Sequence, residues 1–175
     1  MNLTFVRHME TDWNVEGRFT SQAFHLRLNA TGIAQAEAMA ARLERIPFEI
    51  AYSSDQIRAV ETAAIIAARH PQIKALITDP RLRETNTGSC VGTFAADVAN
   101  PLFRTRHPAF DYRPIGGECR ADVIARQKSF LADLKNNRCA DECLIVGHGT
   151  ALRVLFEDMG ITETLTRDNF IRIEI

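Results

Sequence analysis

Two histidines stand at the ends of largely apolar runs, one near the start of the chain and one in its last third. His8 follows residues 3–6 and Arg7, and His148 follows residues 143–146 and Gly147. Short apolar runs of this kind predict buried strands. In an α/β sheet the carboxyl ends of parallel strands meet at one crevice. The two histidines therefore predict a single reactive site, although they lie far apart in the sequence.

The two histidines could serve as nucleophile and hydrogen-bond donor, and the main alternative is that they bind a metal ion. Arg7 stands beside His8, and a guanidinium next to the ligands repels a cation. The four cysteines form no CxxC pair, so they predict neither a zinc ribbon nor a thioredoxin-like motif. We therefore expect no metal and no cofactor. A lone strand-end histidine is more often a structural, hydrogen-bonded residue, so the functional interpretation depends on the other residues around it.

The composition fits one domain with its own hydrophobic core. The chain has 175 residues, of which 46% are hydrophobic and 25% are charged, and its net charge is −1. This charge balance offers no electrostatic reason to expect nucleic acid or an anionic membrane as a partner. No apolar window approaches the length of a membrane span, and the first residues do not resemble a secretory leader. With reduced thiols as the default, we expect a cytoplasmic protein.

Hydrophobic periodicity predicts alternating strands and helices. Asn2–Arg7 is predicted as the first strand and Ala30–Leu43 as a helix, with Asn29 as its N-cap. Further strands are predicted at 48–53, 73–78, 142–146 and 170–175, and further helices at 56–69, 118–135 and 151–159. The last strand alternates apolar and polar residues, as edge strands do. This pattern predicts a three-layer α/β/α sandwich with a mostly parallel sheet.

Residues 85–117 form a different kind of segment. They show little periodicity and contain three prolines and four aromatic residues. A connection of this length inside a compact domain is usually functional or disordered. The aromatic residues favour a folded lid over a pocket, so we expect this segment of a single domain, 1–175, to determine substrate specificity.

The motifs of the chain resemble those of the histidine phosphatase superfamily, the phosphoglycerate mutase-like enzymes. Arg7-His8-Met9-Glu10-Thr11 is similar to the R-H-G-x-T signature of that family. Four further motifs follow in the order of the family: Ser53-Ser54 with Arg58-Ala59 and Thr62-Ala63, Leu82-Arg83-Glu84 with Gly88, Gly116-Gly117-Glu118, and Gly147-His148-Gly149 with Arg153. The resemblance implies a phosphoglycerate mutase-like fold. It also implies the branch of the family whose acid lies mid-chain, since Gly149 and not aspartate follows His148.

Displacement at a phosphate monoester requires a nucleophile, donors for the phosphoryl oxygens and an acid for the leaving group. The resemblance assigns these roles to His8 as nucleophile, to Arg7, Arg58 and His148 as donors, and to Glu84 as acid. An acid at this position must be protonated, which needs partial burial or an anionic neighbour. The resemblance further implies that Asn14, Arg18 and Gly149 bind the phosphate or the substrate. No metal is needed for such a reaction.

Four departures from the family concern the substrate. Met9 replaces the glycine whose carbonyl orients the nucleophilic ring, a role that Met9 retains if its φ is negative. Residues 18–21 replace the family's R-x-Q-G, residues 25–29 replace its D-x-P-L-T, and residues 90–92 replace its W-E-G. We therefore predict a phosphatase that hydrolyses a small phosphorylated metabolite. Two alternatives are a mutase-like phosphoryl transfer and an inactive relative that binds a phosphorylated ligand.

Overall fold

The computed structural model describes residues 1–175, and strands alternate with helices along the whole chain. The strands are β1 (Asn2–Arg7), β2 (Ile50–Ser53), β3 (Ala75–Thr78), β4 (Glu142–Gly147) and β5 (Ile171–Glu174). The α-helices are α1 (Asp12–Glu16), α2 (Ala30–Leu43), α3 (Ile57–Ala67), α4 (Arg120–Asn137) and α5 (Gly149–Asp158). All the predicted elements are present, with ends that differ by a few residues. The short helix α1 is additional.

One five-stranded sheet organises the molecule, in the order β3-β2-β4-β1-β5. The pairs β1–β4, β2–β4 and β2–β3 are parallel, and only β5 runs antiparallel, at the edge beside β1. Strand β4 is central, and its register sets Arg7 opposite Gly147. The carboxyl ends of β1, β4 and β2 therefore lie side by side.

Two hydrophobic cores lie on opposite faces of this sheet. Because side chains alternate along a strand, Cys143 and Ile145 of β4 face one core, and Leu144 and Val146 face the other. Helices α4 and α5 cover the first face, and α2 and α3 cover the second. The predicted three-layer α/β/α sandwich is thus confirmed.

Helix ends show how local sequence sets these elements. The side chain of Asn29 accepts a hydrogen bond from Gly32 N at 2.8 Å, as predicted for the N-cap of α2. Helix α5 begins two residues earlier than predicted, directly after His148, which is its N-cap residue. None of the helices is both long and apolar enough to cross a membrane.

The segment 85–117 folds without strands or α-helices. It contains four short 3₁₀ turns, and the aromatic rings of Phe110 and Tyr112 are buried in a small third core with Val123 of α4. Glu118 ties the segment to α4, since its carboxylate accepts hydrogen bonds from Asn86 N at 2.8 Å and from Arg126 Nε at 2.8 Å. This segment is an ordered wall above the end of the sheet.

Candidate active site

The two predicted site histidines meet where β1 and β4 end. His8 follows β1, His148 follows β4, and His8 N donates to the Gly147 carbonyl at 2.8 Å. The ring centroids of His8 and His148 lie 5.0 Å apart, and both side chains are fully buried. Adjacent parallel strands therefore bring together two residues from opposite ends of the chain, as the sequence predicted.

The backbone of Met9 orients the ring of His8. His8 Nδ1 lies 2.7 Å from the Met9 carbonyl oxygen. A carbonyl only accepts, so Nδ1 carries the proton, and the lone pair of the neutral ring is on Nε2. The φ angle of Met9 is not positive, and Met9 N donates to Thr62 Oγ1 at 3.1 Å. Met9 thus presents its carbonyl in the way expected of the family's glycine.

Both histidines are held in an environment that favours the neutral ring. Burial, followed by the positive charge of Arg58, lowers the pKa of His8 and of His148 well below 6.5. A neutral imidazole retains the lone pair that a nucleophile needs. Neither ring nitrogen of His148 has a hydrogen-bond partner, although both are buried. His148 therefore has a donor available for a polar ligand.

Two arginines lie beside the histidines, Arg58 fully buried and Arg7 half-buried. Arg58 comes from the first turn of α3, and its terminal nitrogens donate to the Ala23 and Ser21 carbonyls, each at 2.8 Å. Its Nε is buried without a partner, and so is Nε of Arg7. Burial lowers the pKa of Arg58 to about 10, so the group remains charged at neutral pH. Both guanidiniums thus retain N–H groups suited to phosphate oxygens.

Glu84 reaches the N-terminus of α5. Its Oε1 accepts from Ala151 N at 3.0 Å and from Thr85 N at 2.7 Å, and its Oε2 accepts from Thr150 N at 3.1 Å. The side chain occupies the place where a helix N-terminus attracts an anion. Glu84 is also largely buried.

A cavity of about 800 Å³ adjoins this group of residues and is lined mostly by polar side chains. Five of the residues singled out in the sequence line this cavity: Arg7, Asn14, Arg18, Glu84 and Gly149. The two histidines and Arg58 are fully buried and lie behind that wall.

The wall residues differ in how firmly they are held. Gly149 packs against Arg7 so closely that a Cβ there would lie 2.9 Å from the Arg7 Cζ atom. Asn14 Oδ1 accepts a hydrogen bond from Thr11 N at 3.1 Å. The side-chain NH2 group of Asn14 takes no part in this bond. Arg18 is engaged already, since it pairs with Glu16 at 2.5 Å and stacks on a phenylalanine ring.

Sequence reasoning missed two residues of the site. Ser21 stands where the family has glycine, with a φ of 42°, and its carbonyl holds Arg58. Arg167, in the segment that joins α5 to β5, is close enough to His8 for its charge to lower the pKa of that ring. Arg167 belongs to no motif, so no signal in the sequence identified it. For Ser21 the only indication in the sequence was that it replaces the glycine of the family's R-x-Q-G.

Comparison with known proteins assigns the family. The profile of the histidine phosphatase superfamily (branch 1) matches residues 3–170, which includes every motif described above. The chain belongs to this superfamily. No three of the His, Cys, Asp and Glu side chains of this superfamily member lie together as metal ligands would. The resemblance inferred from the five motifs is confirmed.

Similar members of the superfamily include named phosphatases. Fructose-2,6-bisphosphatase TIGAR B of Danio rerio is 33% identical over 86% of this chain and 57% of its own length. A metal-independent phosphoserine phosphatase of Arabidopsis thaliana is 32% identical over 88% of this chain and 66% of its own. A structure of mycobacterial glucosyl-3-phosphoglycerate phosphatase with VO3 is 31% identical in sequence and superposes with a TM-score of 0.80. The match covers 90% of this chain and 79% of the other. The chain thus spans about three fifths of the length of these curated relatives.

Proposed function

We propose that this chain is a phosphatase that hydrolyses phosphate monoesters of small metabolites through a phosphohistidine on His8. The observation that carries the proposal is the hydrogen bond from His8 Nδ1 to the Met9 carbonyl, which leaves the lone pair on Nε2. Two charged arginines with unused N–H groups stand beside it. The relatives named as phosphatases support the same reaction.

In the first step His8 Nε2 attacks phosphorus. An N–P bond forms, the P–O bond to the leaving group breaks, and Glu84 gives a proton to the leaving oxygen. Glu84 must first exchange one of its backbone hydrogen bonds for that proton. Arg7, Arg58 and His148 donate to the phosphoryl oxygens, where charge is stabilised most effectively in a buried site. The entering phosphate draws the Arg7 guanidinium toward itself and opens the wall to His8.

In the second step water replaces the histidine on phosphorus. The Glu84 carboxylate accepts a proton from the attacking water, an O–P bond forms and the N–P bond to His8 breaks. Orthophosphate leaves, and Glu84 is again protonated. Atoms and charge balance with water as the only co-reactant. A mutase-like transfer differs in that a second hydroxyl takes the place of water.

The cavity indicates the class of substrate. Its volume of about 800 Å³ and its polar wall suit a phosphorylated metabolite of modest size. The segment 85–117 supplies Thr85, Thr87, Ala95, Thr105 and Arg106 to that wall. We infer that this segment acts as the specificity lid of a single domain. Substitutions of Thr105 or Arg106 should then change KM differently for different phosphate esters and leave p-nitrophenyl phosphate hydrolysis within a few-fold.

The deciding experiment is phosphate release from p-nitrophenyl phosphate in the presence of EDTA. Wild type should be active, and His8→Ala should lose at least about 1000-fold, because the nucleophile is gone. His25→Asn is the matched control, since this histidine is exposed and lies outside the cavity wall. Full activity in His8→Ala would overturn the proposal. A binding protein without catalysis would show no release in any variant.

A cytoplasmic location is proposed from the thiols. All four cysteines are free, and three of them are buried in the folded chain. Free structural thiols are typical of reducing compartments. Titration of the denatured protein, purified from the cytoplasm without reductant, should find four thiols per chain.

A further inference from the structure

The segment between α5 and β5 contains a rigid turn at residues 164–169. Asn169 Oδ1 accepts from Thr166 N at 2.7 Å, Thr166 Oγ1 accepts from Asp168 N at 3.1 Å, and Asn169 Nδ2 donates to the Thr164 carbonyl at 2.9 Å. Arg42 of α2 donates to the Asp168 carbonyl and ties the turn to the body of the molecule. These bonds fix the backbone on both sides of Arg167.

The side chain of Arg167 points inward and lacks a partner. Its Nε and Nη2 atoms are buried without any hydrogen bond. Burial, followed by the charge of Arg7, lowers the pKa of Arg167 to about 10, so it stays charged at neutral pH. The antiparallel register of β5 with β1, in which Phe5 lies opposite Ile171, brings the segment before β5 to the end of β1 where Arg7 and His8 lie. Like charges brought to the same end of a strand repel each other unless an anion is bound between them, so Arg7 and Arg167 together favour a negatively charged ligand.

Comparison of all the arginines separates a group of three. Nine arginines form salt bridges with carboxylates: Arg18, Arg27, Arg81, Arg83, Arg113, Arg120, Arg126, Arg153 and Arg172. Among the unpaired arginines, only Arg7, Arg58 and Arg167 are withdrawn from solvent. All three also keep a buried Nε without a partner. Two of them are the proposed phosphate ligands, and Arg167 shares with them the lack of a carboxylate partner and a buried, unpartnered Nε.

We propose that Arg167 is a third guanidinium of the phosphate site and binds an oxygen of the phosphoryl group through its Nε and Nη2. This inference rests on the proposed function and deepens it. The edge formed by these two nitrogens suits paired phosphate oxygens. Arg58 comes from α3 and Arg7 from β1, whereas Arg167 approaches from the C-terminal segment. The ligand is a phosphate dianion, either as orthophosphate or as the end of a monoester.

Direct binding of orthophosphate, measured by calorimetry, tests this proposal without turnover. Arg167→Gln should weaken binding about 10- to 100-fold, the effect expected for losing hydrogen bonds to a charged group. Arg167→Lys should weaken it less, because the ammonium keeps the charge but lacks the paired donors. Arg69→Gln is the matched control. It removes the same charge from an exposed, unpaired arginine and should leave binding unchanged.

The same variants are then assayed with p-nitrophenyl phosphate, where Arg167→Gln should raise KM. Phosphate binding by Arg167→Gln within twofold of wild type would overturn the proposal, as would a wild type that binds no phosphate. If Arg167→Gln does not fold, Arg167→Lys decides by the same twofold criterion. A wild type that binds phosphate but hydrolyses no ester would refute the proposed function alone. A wild type that hydrolyses esters with unchanged Arg167→Gln binding would refute only this inference.

Discussion

At the scale of single residues, Met9 performs two roles, one through its backbone and one through its side chain. Its carbonyl orients the ring of His8, the proposed nucleophile, and its side chain is fully buried in the core between the sheet and helices α2 and α3. The family's glycine offers only the first of these. In this chain the residue after His8 therefore also contributes to the stability of the fold.

Met9→Ala should separate the two roles. Loss of the buried side chain should lower the free energy of unfolding by about 2–5 kcal/mol, because a cavity remains. The backbone carbonyl is unchanged, so kcat should stay within a few-fold at a temperature where both proteins are folded. Urea unfolding and initial rates measure the two effects. A large loss of kcat without loss of stability would contradict this division.

The buried histidines predict how stability depends on pH. The pKa values of His8 and His148 are lowered in the folded protein, so below the unfolded value of about 6.5 the unfolded chain binds more protons. Stability should therefore fall as the pH drops from 6.5 to 5, by up to about 1.4 kcal/mol per pH unit for each histidine. His148→Asn should make this slope smaller. Denaturant unfolding at several pH values in phosphate-free buffer measures this dependence. The same slope of unfolding free energy against pH in wild type and His148→Asn would contradict the lowered pKa of His148.

At the scale of elements, the N-terminus of α5 connects the two sides of the site. Its backbone N–H groups hold Glu84, and its first residue, Gly149, packs against Arg7. The motif predicted that Gly149 belongs to the site. Its contact with Arg7 depends on the register between β1 and β4, which periodicity alone does not supply.

Gly149→Ala should impair catalysis more than folding. The added Cβ would lie 2.9 Å from Arg7 Cζ and Nε, so the guanidinium must shift. We expect a loss of about tenfold or more in kcat/KM, since a donor to the transition state is displaced. Stability should change by less than about 1 kcal/mol, because alanine suits a helix. Gly116→Ala is the opposite control: its φ of 82° makes alanine strained, but no side chain of the site is near.

The attachment of the segment 85–117 to α4 gives the Gly116-Gly117-Glu118 motif a structural role. Glu118→Ala removes the acceptor for Asn86 N and for Arg126 Nε. We expect a loss of about 2 kcal/mol in stability and faster proteolysis within 85–117. Asp111→Ala is the control, because it breaks an exposed pair with Arg113 and should cost less than about 1 kcal/mol. Equal cleavage rates in wild type and Glu118→Ala would contradict this role.

At the scale of the whole molecule, the predictable and unpredictable features have different physical origins. The five strands, four of the five helices and the five motifs could be read from the sequence, because periodicity and motifs are properties of short stretches of chain. The order β3-β2-β4-β1-β5 depends on pairings between distant segments, and so does the position of Arg167. The turn around Arg167 has neither periodicity nor a motif. For this reason the sequence placed His8 and His148 in one site but did not predict the third arginine.

The position of β1 in the sheet has a consequence for synthesis of the protein. β1 pairs only with β4 and β5, so its backbone has no strand partner until residues beyond 141 have left the ribosome. Pairings of such long range form slowly, and an apolar strand without a partner is open to aggregation meanwhile. A ribosome-bound chain that ends before β4 should be cleaved by protease at residues 3–8, and one that extends past β5 should be protected there. His8 thus enters its native surroundings only after β4, more than 130 residues further along the chain, is available to pair with β1.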